Sequence, residues 1–298
     1  MNIGPINNKN IKPKQPDGVD LEVLYNYASY VKSVYDYSLQ FLLDEFYSVF
    51  GKRGTFKSAD LKKEKRAKEK LEEDDVKTPD NLLDIVRGTV YFSSVEELLD
   101  FIKFTQSFEF KKKNFYKMED NVVKKLITDV PVVNSFVRNS FNFDLNDYVK
   151  NKYPFLKKPS NPNKRNYMDF KFYICIPVPS VINDLSGDTF MFTEVIATLD
   201  CFKNVSDKTH NLYEAKRSFK PSDSDDIKKE DFLIAMESLI CAINVDAIEE
   251  YNNLYPDGIQ ISPYKDNKDL RLKILNSLGS SVTLTSAICN VRNLNKGR

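Results

Sequence analysis

The stretch NLLDIVRGTVYF, Asn81–Phe92, constrains the fold more than any other part of the chain. It is mostly the apolar, β-branched run of a buried strand, which needs a sheet to pair with and further elements to cover it. Two charges, Asp84 and Arg87, interrupt it near its start. Burying either without a partner costs several kcal/mol. Either both lie at the surface where the strand begins, or something charged is there to receive them.

The elements around that strand point to an α+β fold. Apolar residues recur at helical spacing from Leu21 to Phe50 (Leu24, Tyr27, Ala28, Val31, Val34, Tyr35, Leu42, Phe46), and Gly51 ends the run. A charged helix, SADLKKEKRAKEKLEED, is expected from Ser58 to Asp74. After the strand, SSVEELLDFIKF reads as a helix with a capping box from Ser94 to Glu97. A strand is expected at SFEFKKKNFY (Ser107–Tyr116), followed by a polar-basic connection over 121–166. Two more strands are expected at Tyr167–Val178 and Thr189–Leu199, the first alternating at Phe170, Phe172 and Ile174. A helix from Phe202 to Arg217 and a last amphipathic helix from Lys228 to Tyr255 complete the pattern. This order predicts a mixed β-sheet of about five strands flanked by helices.

The polar start, with Pro5, Pro13, Pro16 and Gly18, reads as a flexible tail over 1–18. The domain proper is expected over 19–220, with a basic insertion over 121–166, and a helical C-terminal extension over 221–298. That extension could cover the sheet, bind a neutralising protein partner or support oligomers.

Composition removes several classes of function. Lys and Arg number 44 against 43 Asp and Glu, so nucleic-acid contact has to come from a local patch rather than a global field. The four cysteines lie far apart and there is a single histidine, a poor basis for a zinc site. Neither of the familiar glycine-rich phosphate loops occurs. No signal peptide is evident and no run approaches the roughly 20 apolar residues of a membrane span, so a cytoplasmic protein without membrane contact is expected.

Four pieces carry candidate chemistry. The charged helix bears Lys62, Arg66 and Lys70, spaced by four and so expected on one side. The opening strand bears Asp84 and Arg87. NYMDFK offers Tyr167, Asp169 and Lys171, the last two on one face by period two. TEVIATL carries Glu194 in an apolar setting, and KTHNLYEAKR follows with His210, Tyr213 and Arg217. If the strands are neighbours, Asp84 and Glu194 can share a divalent cation, and the basic helix faces phosphates riding on it. Taken singly, each piece has a plainer reading. Lys62, Arg66 and Lys70 fit a solvated face with i,i+4 pairs, and Asp84 fits a strand-entry cap.

In order and spacing, LKKEKRAKEKLEED, LLDIVRGTVYF, NYMDFK, TEVIATL and KTHNLYEAKR resemble the synthetase domain of the RelA/SpoT family, the ATP:nucleotide 3′-pyrophosphokinases. The resemblance spans Lys57 to Ser218. It implies transfer of the β,γ-pyrophosphate of ATP to the 3′-hydroxyl of a guanine or adenine nucleotide (GDP, GTP or an adenine nucleotide), giving a (p)ppGpp- or (p)ppApp-type alarmone. It implies Mg²⁺ on Asp84 and Glu194, ATP phosphates on Lys62, Arg66, Lys70 and Arg87, and the acceptor at Tyr167, Asp169, Lys171 and His210. Glu194 is the better candidate to take the hydroxyl proton. Asn166 stands where the family has glycine, Met168 where it has arginine and Ile196 where it has glutamine, which leaves the acceptor open.

Two alternatives stay in play. The segment KNKYPFLKKPSNPNKR, Lys150 to Arg165, holds six basic residues, no acidic ones, and Tyr153 and Phe155 between them. It suits an RNA backbone, and some toxic small members of the family pyrophosphorylate the 3′ end of tRNA. The plainer reading is a loop. The other alternative is an inactive relative serving as a binding module. A hydrolase half is not expected, since one histidine cannot supply its metal ligands.

Overall fold

The structure, a computed structural model, describes residues 12–72, 78–111, 130–143, 146–156, 168–179, 189–203, 205, 212 and 226–263. They form two compact units, Met1–Asn139 with Asp169–Thr198, and Ser140–Met168 with Leu199–Arg298.

The first unit is α+β, with helices flanking a mixed six-stranded sheet. Its elements are α1 (Leu21–Phe50), β1 (Thr55–Ser58), α2 (Glu64–Leu71), β2 (Arg87–Phe92), α3 (Val95–Thr105), β3 (Val132–Val133), β4 (Arg138–Asn139), β5 (Phe170–Val178) and β6 (Thr189–Leu199). The strand order is β1-β2-β6-β5-β3, and β4 also pairs with β5.

α1 has the ends its sequence requires. The Asp20 carboxylate accepts from the Val23 amide at 2.8 Å, and Gly51 adopts φ 67° while its N–H reaches the Tyr47 carbonyl. Its buried stripe, Leu24, Tyr27, Ala28, Val31, Val34, Tyr35, Leu39, Leu42 and Phe46, packs on the sheet and α3. Phe46 meets Phe92 and Phe101 edge-on at 6.1 and 5.3 Å. The Ser94–Glu97 capping box of α3 is formed.

The differences from expectation are short or polar elements. β1 is a four-residue edge strand, antiparallel to β2 from Thr55↔Tyr91 to Ser58↔Gly88, so Ser58 is not helical and α2 starts only at Glu64. Residues Ser107 to Lys111 form no strand. Phe108 and Phe110 instead pack on each other and on Phe41 of α1, and the rest of that expected strand lies outside the described residues. The strand at Asn81–Phe92 is regular only from Arg87, while Leu82, Leu83, Ile85 and Val86 are buried in a non-repetitive lead-in.

Residues 12–18, expected as part of a tail, are fastened. Gln15 is buried: its amide N–H₂ donates to the carbonyls of Leu82 and Phe192 at 2.8 and 2.9 Å, and its oxygen accepts from the Phe192 amide at 2.9 Å. Beside it, Lys14 pairs with Asp80 at 3.1 Å.

The second unit contains α4 (Asp147–Lys152) and the long helix α5 (Asp226–Leu254). Phe141 stacks on Phe143 and meets Phe202 edge-on. Phe143 bridges Ile261, whose backbone is held at both polar atoms by the Asn252 side chain. Among the described residues no helix is long and apolar enough to cross a membrane.

Candidate active site

The lead-in to β2 sets Asp84 against the chain that enters α2. The Lys62 amide donates to the Ile85 carbonyl at 3.0 Å, and the Tyr25 hydroxyl of α1 donates to the Lys62 carbonyl. Lys62 is thereby held at both backbone ends. Its ammonium reaches Asp84 Oδ2 at 2.8 Å, Lys70 reaches the same oxygen at 3.0 Å, and Arg87 lies 3.8 Å away. Arg66 does not join them: its guanidinium pairs with Glu69 on its own helix. Of the three basic residues spaced by four, Lys62 and Lys70 thus meet on Asp84, and Arg66 pairs on its own helix. Lys62 precedes the helix, and Arg66 lies on it with an acid within reach.

The electrostatics follow from burial and charge. Burial alone would raise the Asp84 pKa, but the Lys70 and Lys62 ammonium groups outweigh it and hold the carboxyl well below the usual carboxylate range. Lys62 is pushed down by burial and by its cationic neighbours Lys70 and Arg87, against the attraction of Asp84. The other oxygen, Asp84 Oδ1, is buried and has no hydrogen-bond partner. A buried carboxylate oxygen left unpaired is costly, so the arrangement is suited to receiving a cation or a donor.

β6 brings the second acid alongside. The Glu194 amide donates to the Val86 carbonyl at 3.0 Å, and the buried Tyr35 hydroxyl of α1 donates to the Glu194 carbonyl at 2.9 Å. Glu194 and Asp84 are 7% and 8% exposed, which removes both from bulk screening. Lys171 of β5 lies 3.4 Å from both Glu194 oxygens. Burial would lower the Lys171 pKa, yet Glu194 and Asp169 raise it above its ordinary value, with a further pull from Asp84. Asp169, at period two from Lys171, is buried with its Oδ1 unpartnered. Asp84, Asp169, Lys171 and Glu194 thus share one electrostatic neighbourhood.

Sequence reasoning missed several residues here. Lys12 lies within electrostatic reach of Lys70, Arg138, Glu194 and Asp84, and burial together with the two cations lowers its pKa. Nothing in a Pro- and Asn-rich start marks a lysine as a site residue. Arg138 sits on a two-residue strand, too short for any periodicity. Tyr167, His210, Tyr213 and Arg217 lie outside the described residues. Of the basic segment 150–165, residues through 156 are described. Tyr153 is fully buried and meets Phe155 edge-on at 6.0 Å, so its ring serves the second unit's core rather than a stacking surface for RNA.

No group of three or more metal-ligating side chains occurs among the described residues. The buried, unpartnered Asp84 Oδ1, with the Glu194 carboxylate on the adjoining strand, is the oxygen donor set the described residues offer to a hard cation.

No family model matches the chain, and no curated protein matches it. Among solved structures, it is similar to a protein of Streptococcus mutans, with 12% identity over 79% of this chain and 94% of that one and a TM-score of 0.44. It is also similar to the small alarmone synthetase 1 of Bacillus subtilis bound to its product pppGpp, at 13% identity, 79% and 96% coverage and a TM-score of 0.42. A GTP pyrophosphokinase family protein of Streptococcus pneumoniae is similar at 13% identity, 85% and 98% coverage and a TM-score of 0.41.

Proposed function

We propose that this chain is an ATP-dependent pyrophosphokinase that moves the β,γ-pyrophosphate of ATP to the 3′-hydroxyl of a guanine or adenine nucleotide. The observation that carries the reading is Asp84: one oxygen held by Lys62 and Lys70, the other buried and unpartnered, with Glu194 on the adjoining strand. The five motifs that resemble the RelA/SpoT synthetase domain supply the reaction class.

The acceptor oxygen attacks the β-phosphorus in line, the bond from that phosphorus to the α–β bridging oxygen breaks, and AMP leaves. Such a transfer is catalysed chiefly by positioning and by neutralising charge. Mg²⁺ on Asp84 and Glu194 would supply charge neutralisation at the phosphate oxygens. Lys62, Lys70 and Arg87, gathered at Asp84, would serve as phosphate ligands, with Arg87 suited to two-point contact. Glu194 is the group to take the hydroxyl proton, and Lys171 stabilises its carboxylate before transfer. Asp169 Oδ1 is free to accept a hydrogen bond from the acceptor.

The test is direct. Incubation with β-labelled ATP and Mg²⁺, separately with GDP, GTP, AMP, ADP and deacylated tRNA, should transfer label to a nucleotide, with mass spectrometry giving the product. Labelled tRNA with unlabelled nucleotides would move the substrate to RNA. Label on no acceptor would overturn the pyrophosphokinase reading.

A further inference from the structure

The edge beside β5 is one interrupted strand, and the interruption sets a cation over the site. Val132 of β3 pairs with Cys175, and Arg138 of β4 pairs with Lys171. Six positions separate Val132 from Arg138, while four separate Cys175 from Lys171, so two extra residues bulge out between them. Asn134 pins the bulge: its amide reaches the Tyr173 carbonyl at 2.8 Å, and its side-chain oxygen accepts from the Phe136 amide at 2.9 Å. Beyond the bulge, Arg138 stands directly opposite Lys171, which stands directly opposite Ile196 of β6. Residues paired in this way share a face, as do residues two apart, so Glu194 and Tyr173 lie on that face too.

Two cations directly opposite on neighbouring strands repel, and an anion placed between them relieves that cost. Lys171 has Glu194 at 3.4 Å, whereas Arg138 is exposed and makes no ion pair among the described residues. Lys12 adds a third positive charge within electrostatic reach of Arg138. The Gln15 clip three residues away fixes the chain that carries it. Ile196, at the far end of this row, offers no side-chain hydrogen bond, so within the row polar contact falls to the two cations.

We propose that Arg138, together with Lys12 and Lys171, forms a second anion subsite that holds the phosphate on the 5′ side of the accepting ribose. The inference rests on the pyrophosphokinase reading for the name of its ligand. The ATP phosphates have Lys62, Lys70 and Arg87 around Asp84, while this row adjoins Glu194, where the acceptor hydroxyl must be deprotonated. A mononucleotide and the terminal nucleotide of an RNA both carry a phosphate in that position, so the subsite fits either source.

Calorimetric titration of the full chain tests this with GMP and AMP against guanosine and adenosine, and with a CCA-ended RNA oligonucleotide, for wild type, R138A, R138K and K12A. A charge-assisted hydrogen bond is worth about 10- to 100-fold in affinity, so wild type should favour a phosphorylated acceptor by at least about tenfold. R138A should lose most of that preference without weakening ATP binding, and R138K should restore part of it. Which ligand loses affinity, mononucleotide or oligonucleotide, identifies the source. If R138A and K12A both keep the full preference for the 5′-phosphate, or if both weaken nucleoside and nucleotide alike, the subsite is wrong. A subsite that behaves as expected in a protein that transfers nothing from ATP would leave this inference standing and overturn the pyrophosphokinase reading. Circular dichroism of R138A checks folding, and R138Q replaces it should it unfold.

Discussion

Lys62 Nζ lies 2.8 Å from Asp84 Oδ2, while the second oxygen of the same buried carboxylate has no partner at all. The pair is therefore half of a site. Asp84→Asn should reduce transfer by at least about a hundredfold, because it removes a phosphate-side charge and a cation ligand together. It should also destabilise the fold by about 3 kcal/mol, since Lys62 and Lys70 are left close together without their anion. The Asp84 pKa is depressed in the folded state, so its stabilisation is present above its unfolded value, about 3.9, and is lost as pH falls through the folded one. Denaturant melts of wild type and D84N should accordingly differ by a constant amount above about pH 5 and converge in strong acid.

Gln15 fastens the N-terminal segment to Leu82 and Phe192 through both polar atoms of its side chain. Gln15→Ala would leave a buried strand amide and two carbonyls without those partners, at a cost of about 2–3 kcal/mol. A thermal melt should fall by several degrees, and removal of residues 1–18 should reproduce the loss. Equal melts for Q15A and wild type would mean that water replaces the side chain freely.

These two cases mark what the sequence could and could not disclose. α1, the Ser94–Glu97 box and the strand Thr189–Leu199 were readable because long periodic patterns and a cap act locally. The meeting of Asp84 with Lys62 and Lys70 was readable in residue type, since a charge inside an apolar run needs a partner. The Arg66–Glu69 pair was not readable, because helical spacing predicts direction but not which nearby acid meets a guanidinium. Gln15, Lys12 and Arg138 left no trace in periodicity. Their placement depends on strand pairing and on contacts across 177 positions of chain, as between Gln15 and Phe192.

Tyr35 and Gly88 form a tight spot behind Glu194. The Tyr35 hydroxyl donates to the Glu194 carbonyl at 2.9 Å, and a Cβ on Gly88 would stand 3.1 Å from that hydroxyl and 2.6 Å from the Phe56 ring. Tyr35→Phe should cost about 1 kcal/mol or somewhat more in stability, since the hydroxyl bonds the Gly88 backbone as well as the Glu194 carbonyl. Gly88→Ala should cost more, about 1–3 kcal/mol, because Phe56 is packed between α1 and β2 and must shift. Chemical denaturation ranks the two. The reverse order would mean that the sheet edge yields easily at β1.

Lys171 is the counter-charge of Glu194, and its removal separates fold from chemistry. Its pKa is raised in the folded state, so the pair's stabilisation is fully present below the unfolded lysine value, about 10.4, and is lost only as pH rises through the folded one. Lys171→Met should destabilise the protein by about 3 kcal/mol at neutral pH, because Glu194 remains buried without its cation. The double variant K171M/E194Q should regain part of that stability while staying inactive. K171M alone should retain measurable transfer at a lower kcat than wild type, because the cation that holds the Glu194 carboxylate in place is gone. A kcat for K171M equal to that of wild type, with Glu194→Gln still active, would show that the Lys171–Glu194 pair holds the sheet together and takes no part in moving the proton.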